Sequence, residues 1–373
     1  MNHLFFNSII ILFHMKITTV LLICFVLFSS CLNKEEKKLE IINVYPEKSD
    51  SILLSMIAIK IEKKVLETKD SSLITSINEI ESTDEFIFIN DAGKRVLEFA
   101  VSGKFIRQIG SQGRGPSEFL SIYDIALDRK NKRLFLASYK KILCFSYTGE
   151  LVNVIKQDAM PEFLTVVQDT LWVISTCHAS VSVDNRFINI THLIRYECDG
   201  SLIDTIQIKK VFLDAPAGTI HSNPYYITNL VKSQFIYYPV MLPEQVVRDT
   251  IYSFKGDRLV PLVKLDFGSV GLSQSGKKQV YIENIYMTRR YLFSVYRYNS
   301  KQFLFCYDKL SEDSFHVTSI TDDFYGSGKV RLKPLDLNNG IMYFVKEGFE
   351  ITGKIEEISE NSNPVIFFVK LKK

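Results

Sequence analysis

The segments SGKFIRQIG (Ser102–Gly110), TGELVNVIK (Thr148–Lys156) and DGSLIDTIQI (Asp199–Ile208) decide the fold, because they repeat one pattern along the chain. Each has a small or acidic residue, a glycine, a variable residue, two apolar residues and a later return to apolar. KGDRLVPLVKLDFG (Lys255–Gly268) is a looser fourth copy. A glycine before an apolar, alternating run is typical of a tight turn that leads into a β-strand. We therefore interpret each run as the outer strand of a repeated unit.

A second series of short apolar runs has the same spacing. The runs are EFIFIN, RLFLAS, TLWVIS, QFIYYP, YLFSVYRY and GIMYFVKE, beginning at Glu85, Arg133, Thr170, Gln234, Tyr291 and Gly340. Their intervals average about 51 residues and hold about four strand-like runs each, which is the repeat of a β-propeller. No convincing amphipathic helix appears, which argues against βαβ units. The sequence predicts an all-β fold, a six-bladed β-propeller with four-stranded blades.

Two apolar runs near residues 53–68, LLSMIAIKI and KKVLET, precede the first unit without belonging to it. We expect an N-terminal strand from this region to complete the last blade and close the ring, which removes exposed sheet edges. An array of β-sandwiches is the alternative architecture, and the regular glycine turns count against it.

The stretch Gly113-Arg114-Gly115-Pro116 raises the question of a phosphate-binding loop. Such a loop needs a helix after the glycines, whereas the FLSIYDIALD that follows indicates another strand, and Pro116 lacks one N–H group. The stretch is therefore interpreted as a connection from one outer strand to the next inner strand. Arg114 and Glu118 are expected near the mouth of the central channel, where they either bind a ligand or pair with neighbouring blades.

The N-terminal region has the pattern of a secretory signal. MKITTVLLICFVLFSSC (Met15–Cys31) has one lysine, a short apolar core and small residues before a cysteine. We predict a signal peptide over 1–30, with Met15 as the alternative start, a lipidated Cys31 and flexible tether over 31–52, and the propeller over 53–373. LFSSC resembles a bacterial lipobox, with Phe28 where leucine is usual. An uncleaved anchor helix is the alternative.

Residues 86–128 and several later segments carry a resemblance to a family. FIFINDAGKRVLEFAVSGKFIRQIGSQGRGPSEFLSIYDIALD is similar to the first blades of six-bladed β-propeller lipoproteins of Bacteroidetes, relatives of NHL-repeat and TolB-like propellers. Ser117 stands where that family usually has a second glycine. The resemblance implies a lipoprotein of the outer membrane, either exposed at the cell surface or facing the periplasm. It implies little about function, because fold alone does not give function.

Charge and cysteine usage exclude several classes of function. The net charge is +3 without a basic block, so no nucleic-acid partner is predicted. Cys144, Cys177, Cys198 and Cys306 form no CxxC or CxxH pair, so no zinc site, other metal or cofactor is predicted. Whether Cys177 and Cys198 pair across a hairpin stays open.

Two further blade-to-blade connections are long, Val211–Asn229 and Thr321–Pro334, and long loops on a rigid ring often carry binding residues. Their aromatic, amide and carboxylate side chains suit a glycan or peptide ligand, unless the loops only cap the channel. The predicted ligand-binding residues are Arg114, Glu118, Tyr225, Tyr226, Asp322, Asp323 and Phe324.

Two functions remain. The preferred one is a lipid-anchored binding or scaffold module for a glycan or peptide, with the membrane as a second partner through the N-terminal lipid. The alternative is a lyase or hydrolase that acts on a polysaccharide or peptide at the channel mouth. No recognisable catalytic motif is present, and Asp322-Asp323 is more typical of a solvated turn than of a calcium site.

Overall fold

The computed structural model describes residues 39–46, 52–181, 184, 186–215, 225–230, 233–238, 244–256, 258–355 and 358–373. The chain divides into two compact units, Met1–Glu40 and Ile41–Lys373. Only residues 39 and 40 of the first are described, so the fold is that of the second. The predicted signal peptide and Cys31 lie outside the described residues. No helix within the described ranges has the length and apolar character needed to cross a membrane.

The N-terminal elements of the described chain do not form a sheet of their own. They are β1 (Glu40–Asn43), β2 (Ile52–Leu53), helix α1 (Leu54–Ile57) and β3 (Ala58–Lys64). Each strand joins a sheet made by later parts of the chain. Strand β1 falls inside the range 31–52 for which a flexible tether was predicted.

Three four-stranded antiparallel sheets follow, each in chain order. The first contains β4 (Ile77–Ser82), β5 (Phe86–Asp91), β6 (Arg95–Ala100) and β7 (Phe105–Ile109). The second contains β8 (Asp124–Asp128), β9 (Arg133–Ser138), β10 (Lys141–Ser146) and β11 (Leu151–Lys156). The third contains β12 (Met160–Val167), β13 (Thr170–Val181), β14 (Phe187–Glu197) and β15 (Leu202–Leu213).

Two larger sheets and one small sheet come next. The fourth contains β16 (Ile227–Leu230), β17 (Ser233–Tyr237), β18 (Thr250–Lys255) and β19 (Arg258–Asp266), and β1 is added beside β19. A 3₁₀ turn (Gly268–Val270) leads to the fifth, with β20 (Tyr281–Met287), β21 (Tyr291–Tyr298), β22 (Lys301–Asp308) and β23 (Ser314–Val317). The small sheet is the hairpin of β24 (Ile320–Asp322) and β25 (Gly328–Val330), with β2 parallel to β24.

The last sheet contains β26 (Lys333–Asp336), β27 (Ile341–Lys346) and β28 (Val365–Leu371), with helix α2 (Gly348–Ile351) between β27 and β28. Strand β3 completes it by antiparallel pairing with β28, from Ile366 opposite Lys64 to Leu371 opposite Ala58. The expected closure by an N-terminal strand is therefore present. The backbone N–H of Lys372 also donates to the carbonyl of Ile57 at 2.8 Å.

The prediction of six blades is wrong, because the described chain forms a propeller with seven blades. Six of them have four or five strands, and the seventh is the small sheet of β2, β24 and β25. Its strands are only two or three residues long, too short to show a periodic pattern in the sequence. Strands β24 and β25 overlap Thr321–Pro334, which the sequence indicated as a connection between blades. Strand β2 lies near residue 53, in the region expected to form the closing strand.

The strands form where they do because successive blades bury one another. Second strands such as β5 (FIFIND) and β9 (RLFLAS) are buried almost throughout, so they consist of continuous apolar runs. Outer strands such as β11 (LVNVIK) are mostly exposed. One hydrophobic core joins Phe88 and Val96 of the first blade to Leu134 and Leu136 of the second. Each apolar run of the repeat therefore belongs to an interface between blades.

The repeated glycines have the role that their spacing predicts. Gly103, Gly149 and Gly200 precede the outer strands β7, β11 and β15 and have φ of 90°, 87° and 99°, a conformation that other residues rarely adopt. The prediction of outer strands after them is confirmed. Neither Cys177 nor Cys198 is in a disulfide, and the Cys198 thiol instead donates to the carbonyl of Asp169 at 3.1 Å.

Candidate functional site

A cavity of about 390 Å³ is lined by the first strands of the large blades and, on one side, by β21 and β22 of the fifth sheet. Asp124 and Lys333 are the first residues of β8 and β26, and Tyr225 lies just before β16. The cavity therefore lies at the end of the ring where the blade-to-blade connections arrive. We call it the central cavity. Its polar and aromatic wall includes Asn78, Glu79, Glu81, Asp124, Phe163, Tyr225, Glu283, Asn284, Tyr286, Arg331, Lys333 and Tyr343.

Two carboxylates on one wall also connect neighbouring blades. A Glu79 oxygen accepts a hydrogen bond from the backbone N–H of Ile125 at 3.0 Å, and Asp124 accepts one from Leu164 N–H at 2.5 Å. Each first strand is thereby tied to the next. Burial, together with the nearby Asp124 charge, raises the pKa of Glu79 well above its usual range, and burial also raises the pKa of Asp124. Both carboxyl groups are therefore harder to ionise here than in water.

Glu81 extends the acidic wall toward the opposite face of the ring. Burial raises its pKa to about 7, and the guanidinium of Arg129 opposes that shift from 3.5 Å. Arg129 also donates to the carbonyl of Ser82 at 2.8 Å. Glu81 thus lines the central cavity, whereas its partner Arg129 lies outside the described wall of that cavity.

Basic residues on β26 and just before it face these acids. Burial lowers the pKa of Lys333, and the charge of Glu79 opposes this shift. The Lys333 ammonium lies 3.4 Å from the carbonyl oxygen of Asn78 and 6.0 Å from the ring centre of Tyr343. Arg331 lines the same side and is exposed. The cavity therefore offers separated negative and positive groups to a polar ligand.

Aromatic rings complete the wall. The ring of Tyr225 packs edge-on against Phe163 at 5.4 Å and against Tyr286 at 6.1 Å between centroids. Its backbone N–H donates to the Asn284 side chain at 2.7 Å, which fixes the residue beside β20. The Tyr286 side chain is 1% exposed, and its hydroxyl has no hydrogen-bond partner among the described residues. Apolar ring faces and a spare hydroxyl thus lie beside the charged groups.

Of the seven residues predicted to bind a ligand, only Tyr225 lines this cavity within the described chain. Tyr226 points into the core instead, is 2% exposed, and donates its hydroxyl proton to Glu162 at 2.6 Å. The two tyrosines are adjacent in extended backbone, where successive side chains point to opposite faces. His221 and Asn223 of the same connection lie outside the described residues.

Arg114 and Glu118 lie in the connection between β7 and β8, as expected from the sequence. Glu118 folds back on its own loop and accepts a hydrogen bond from Gly115 N–H at 2.8 Å. The Lys141 ammonium secures the same loop through the Gly115 carbonyl at 3.1 Å. Arg114 is exposed. Neither Arg114 nor Glu118 is among the described residues that line the central cavity.

Asp322, Asp323 and Phe324 shape the β24–β25 hairpin. The Asp322 carboxylate is buried and accepts hydrogen bonds from Phe324 N–H at 3.0 Å and from both the backbone and the hydroxyl of Ser327 at 3.0 and 2.6 Å. Asp323 accepts the backbone N–H of Ser55 at 2.9 Å, which links the hairpin to α1. Phe324 is 41% exposed. In the part of the chain that is described, no group of three or more His, Cys, Asp or Glu residues could hold a metal ion.

Sequence reasoning missed Glu79, Asp124 and Lys333, three of the charged residues that line the cavity. The alternation in INEIES (Ile77–Ser82) did contain a signal, since Asn78, Glu79 and Glu81 all contribute to the wall. Alternating polar residues at the start of a repeat unit indicate a strand with one side facing either solvent or a channel. Only the assignment of β4 as an innermost strand distinguishes the two.

Comparisons with known proteins agree with the fold. No curated protein resembles the chain closely enough to count as a match. A protein of Bacteroides fragilis classed as exported is similar in structure, with 18% identity, a TM-score of 0.65, and coverage of 89% of this chain and 100% of that one. A member of the DUF4221 family from Bacteroides vulgatus aligns with 10% identity and a TM-score of 0.48, over 84% of this chain and 97% of that one. The sequence profile described as "Domain of unknown function (DUF4934)" matches residues 39–370, nearly all of the described propeller, and the chain therefore belongs to that family.

Proposed function

We propose that this protein is a binding module whose central cavity takes a short glycan or peptide. The observation that carries the proposal is a cavity of about 390 Å³ with aromatic rings, carboxyl groups and a lysine on its walls. Ligand sites usually have this volume and combine apolar faces with a few placed polar groups. The inner strands hold these side chains on rigid backbone, so little ordering is needed on binding.

Tyr225 gives the direct test. The change Tyr225→Ala removes a ring from the cavity wall and is expected to weaken binding at least about tenfold, or roughly 1.4 kcal/mol. Tyr139→Ala is the matched control, because Tyr139 is 54% exposed and lies outside the described cavity wall. Ligands would be found on glycan and peptide arrays, and affinities measured by titration calorimetry. Equal affinity for both variants would exclude the central cavity as the binding site.

The Glu79–Asp124 pair favours hydrolysis as a second candidate function. Two neighbouring carboxyl groups that differ in their ease of ionisation can act as general acid and general base. Incubating the bound glycan or peptide with the protein, followed by mass spectrometry, distinguishes the two functions. An intact ligand supports binding alone. A cleaved ligand, with loss of cleavage in Asp124→Asn, supports the hydrolase.

We further propose that the protein is exported and anchored through Cys31. Support comes from the signal-like Met15–Cys31 segment and from the similarity to a Bacteroides fragilis protein classed as exported. The charged LNKEEKKLE after Cys31 gives a polar exit from the membrane surface, and Lys34-Glu35-Glu36 resembles a signal for the outer cell surface. Intact-mass analysis of native protein should show a lipid-modified chain that begins at Cys31. An unmodified chain that retains earlier residues would contradict the anchor.

A further inference from the structure

A second cavity, of about 710 Å³, opens on the face of the ring opposite to the blade-to-blade connections. Its wall contains Ser82 and Asp336, the last residues of β4 and β26, and Phe86 and Ile341, the first residues of β5 and β27. The turns between first and second strands therefore surround it. We call this cavity the distal cleft.

One side chain in the distal cleft has unused hydrogen-bonding capacity. Tyr147 is 8% exposed, and its buried hydroxyl has no hydrogen-bond partner among the described residues. Its ring is held by Phe88 at 5.1 Å and by Phe86 at 6.1 Å between centroids. Burial raises the pKa of Tyr147 to about 12, so the hydroxyl stays protonated and can donate. Buried polar groups without a partner are rare in proteins, and a bound ligand atom is one explanation for them.

Cationic groups lie on two sides of the same cleft. Lys132 comes from the turn after β8, and Lys60 comes from β3. Arg129 of the same turn is already engaged by Glu81 and by the carbonyl of Ser82. The ammonium groups of Lys60 and Lys132 form no hydrogen bond or ion pair with the described residues. Two other lysines of the wall are already engaged, since Lys64 pairs with Glu62 at 2.5 Å and Lys370 donates to the carbonyl of Asn339 at 2.5 Å.

The acids of the cleft have internal partners or lie in an exposed turn. Glu62 is paired with Lys64, and Asp336 accepts hydrogen bonds from the backbone and side chain of Asn339 at 3.0 and 2.8 Å. Asp84 and Glu85 are exposed in the turn after β4. Lys60 and Lys132 are therefore the cations of the described wall that a ligand carboxylate can pair with.

Half-buried aromatic rings give the cleft its shape. Phe86 and Phe368 both line it and keep part of their surface accessible. Ring faces of this kind suit the C–H faces of a sugar, whereas the hydroxyl of Tyr147 suits a sugar oxygen. We propose that the distal cleft is a second ligand site that binds a carboxylate-bearing saccharide. Lys132 and Lys60 receive the carboxylate groups, and the Tyr147 hydroxyl donates to a ring or hydroxyl oxygen.

Titration calorimetry of the full chain with trigalacturonate tests this site. Maltotriose serves as the neutral comparison, sodium acetate as the free carboxylate, and tetraglutamate as the acidic peptide. We expect trigalacturonate to bind best and to bind less tightly as salt is added, because charge contributes to its affinity. Binding of acetate with equal affinity, tighter binding of tetraglutamate, or no binding of trigalacturonate would overturn the proposal.

Lys132→Gln and Lys130→Gln form a matched pair of variants. Both remove one positive charge from the same turn, but the Lys130 ammonium pairs with Asp169 and lies outside the described wall of the cleft. Lys132→Gln should weaken trigalacturonate binding at least about fivefold, and Lys130→Gln should leave it unchanged. Equal losses would show attraction by net charge alone and would overturn the site.

Tyr147→Phe separates a binding role from a structural one. The native hydroxyl makes no internal hydrogen bond, so its removal should leave the melting temperature unchanged or raise it. The same change should weaken trigalacturonate binding about threefold or more. Unchanged affinity in a stable Tyr147→Phe variant would show that the hydroxyl faces no ligand, and would refute the proposal.

Discussion

Ile61 tests whether β3 closes the ring through its buried face. The Ile61 side chain is 7% exposed and belongs to the core that includes Val369 and Leu371 of β28. Ile59 is 57% exposed, because it is the extra residue of a β-bulge opposite Lys370 and Leu371. Replacing a buried isoleucine with alanine costs about 2–5 kcal/mol through lost transfer free energy and a residual cavity. We expect Ile61→Ala to lower the free energy of unfolding by about 2–3 kcal/mol, and Ile59→Ala by less than about 1 kcal/mol.

Urea unfolding followed by the fluorescence of Trp172, the single tryptophan, measures both changes. The slope of free energy against urea should stay the same, so that the midpoint reports stability. If Ile59→Ala were as damaging as Ile61→Ala, or if neither had an effect, then β3 would not hold the last blade in the way described.

A chain that begins at Asp70 gives the extreme form of the same test. It lacks β1, β2, α1, β3 and the residues that follow β3. Besides Ala58, seven buried apolar side chains are lost with them: Ile42, Val44, Ile52, Leu54, Ile57, Ile61 and Leu66. Burial of each is worth about 1.5–3 kcal/mol, so their loss is comparable to the whole stability of about 5–15 kcal/mol of a typical protein. The shortened chain should be insoluble or unfolded, as judged by circular dichroism. A native-like melting curve would contradict the closure.

Three further predictions concern side chains with defined partners. Burial raises the pKa of Glu81 to about 7, so its contribution to stability is present below about pH 4.5 and is lost as pH rises through about 7. Glu81→Gln should therefore raise the free energy of unfolding at pH 8, by about 3 kcal/mol at most, and change it much less at pH 4. Urea titrations of both proteins at the two pH values measure the difference. Asp322→Ala should lower the free energy of unfolding in urea by about 2–4 kcal/mol, because it removes the hydrogen bonds that hold the β24–β25 turn. Asp323→Ala should lower it by only about 1 kcal/mol. Equal losses would show that Asp322 does not hold the turn. Tyr226→Phe should lower stability by about 1–3 kcal/mol, because Glu162 loses a buried donor, and should leave ligand affinity unchanged; a loss of affinity without a loss of stability would place Tyr226 in the site after all.

The repeat made the propeller and its outer strands predictable. The glycine turns before β7, β11 and β15 require a backbone conformation that few other residues adopt, so they remain visible in a single sequence. The number of blades was not predictable in the same way. Strands β24 and β25 are three residues each and depend on Asp322 and on pairing with β2, neither of which has a periodic pattern.

The candidate site was predictable only in part. The connection before β16 did bring Tyr225 to the cavity, but alternation alone cannot say which of Tyr225 and Tyr226 faces inward. Glu79 and Asp124 went unrecognised, because carboxylates on an inner strand resemble those on a solvent-exposed strand. Their partners are backbone N–H groups of the next blade, which no local pattern can reveal.

The pairing of β3 with β28 has a consequence for how the chain is made. The two strands are separated by about 300 residues, so at roughly 5–20 residues per second a nascent β3 waits on the order of 15–60 s for its partner. During that time it is an unpaired strand with an apolar side. Lys60, Lys63 and Lys64 place positive charge along it, a feature that discourages pairing with the wrong strand. Until β28 has been synthesised, β3 has no partner and the ring stays open.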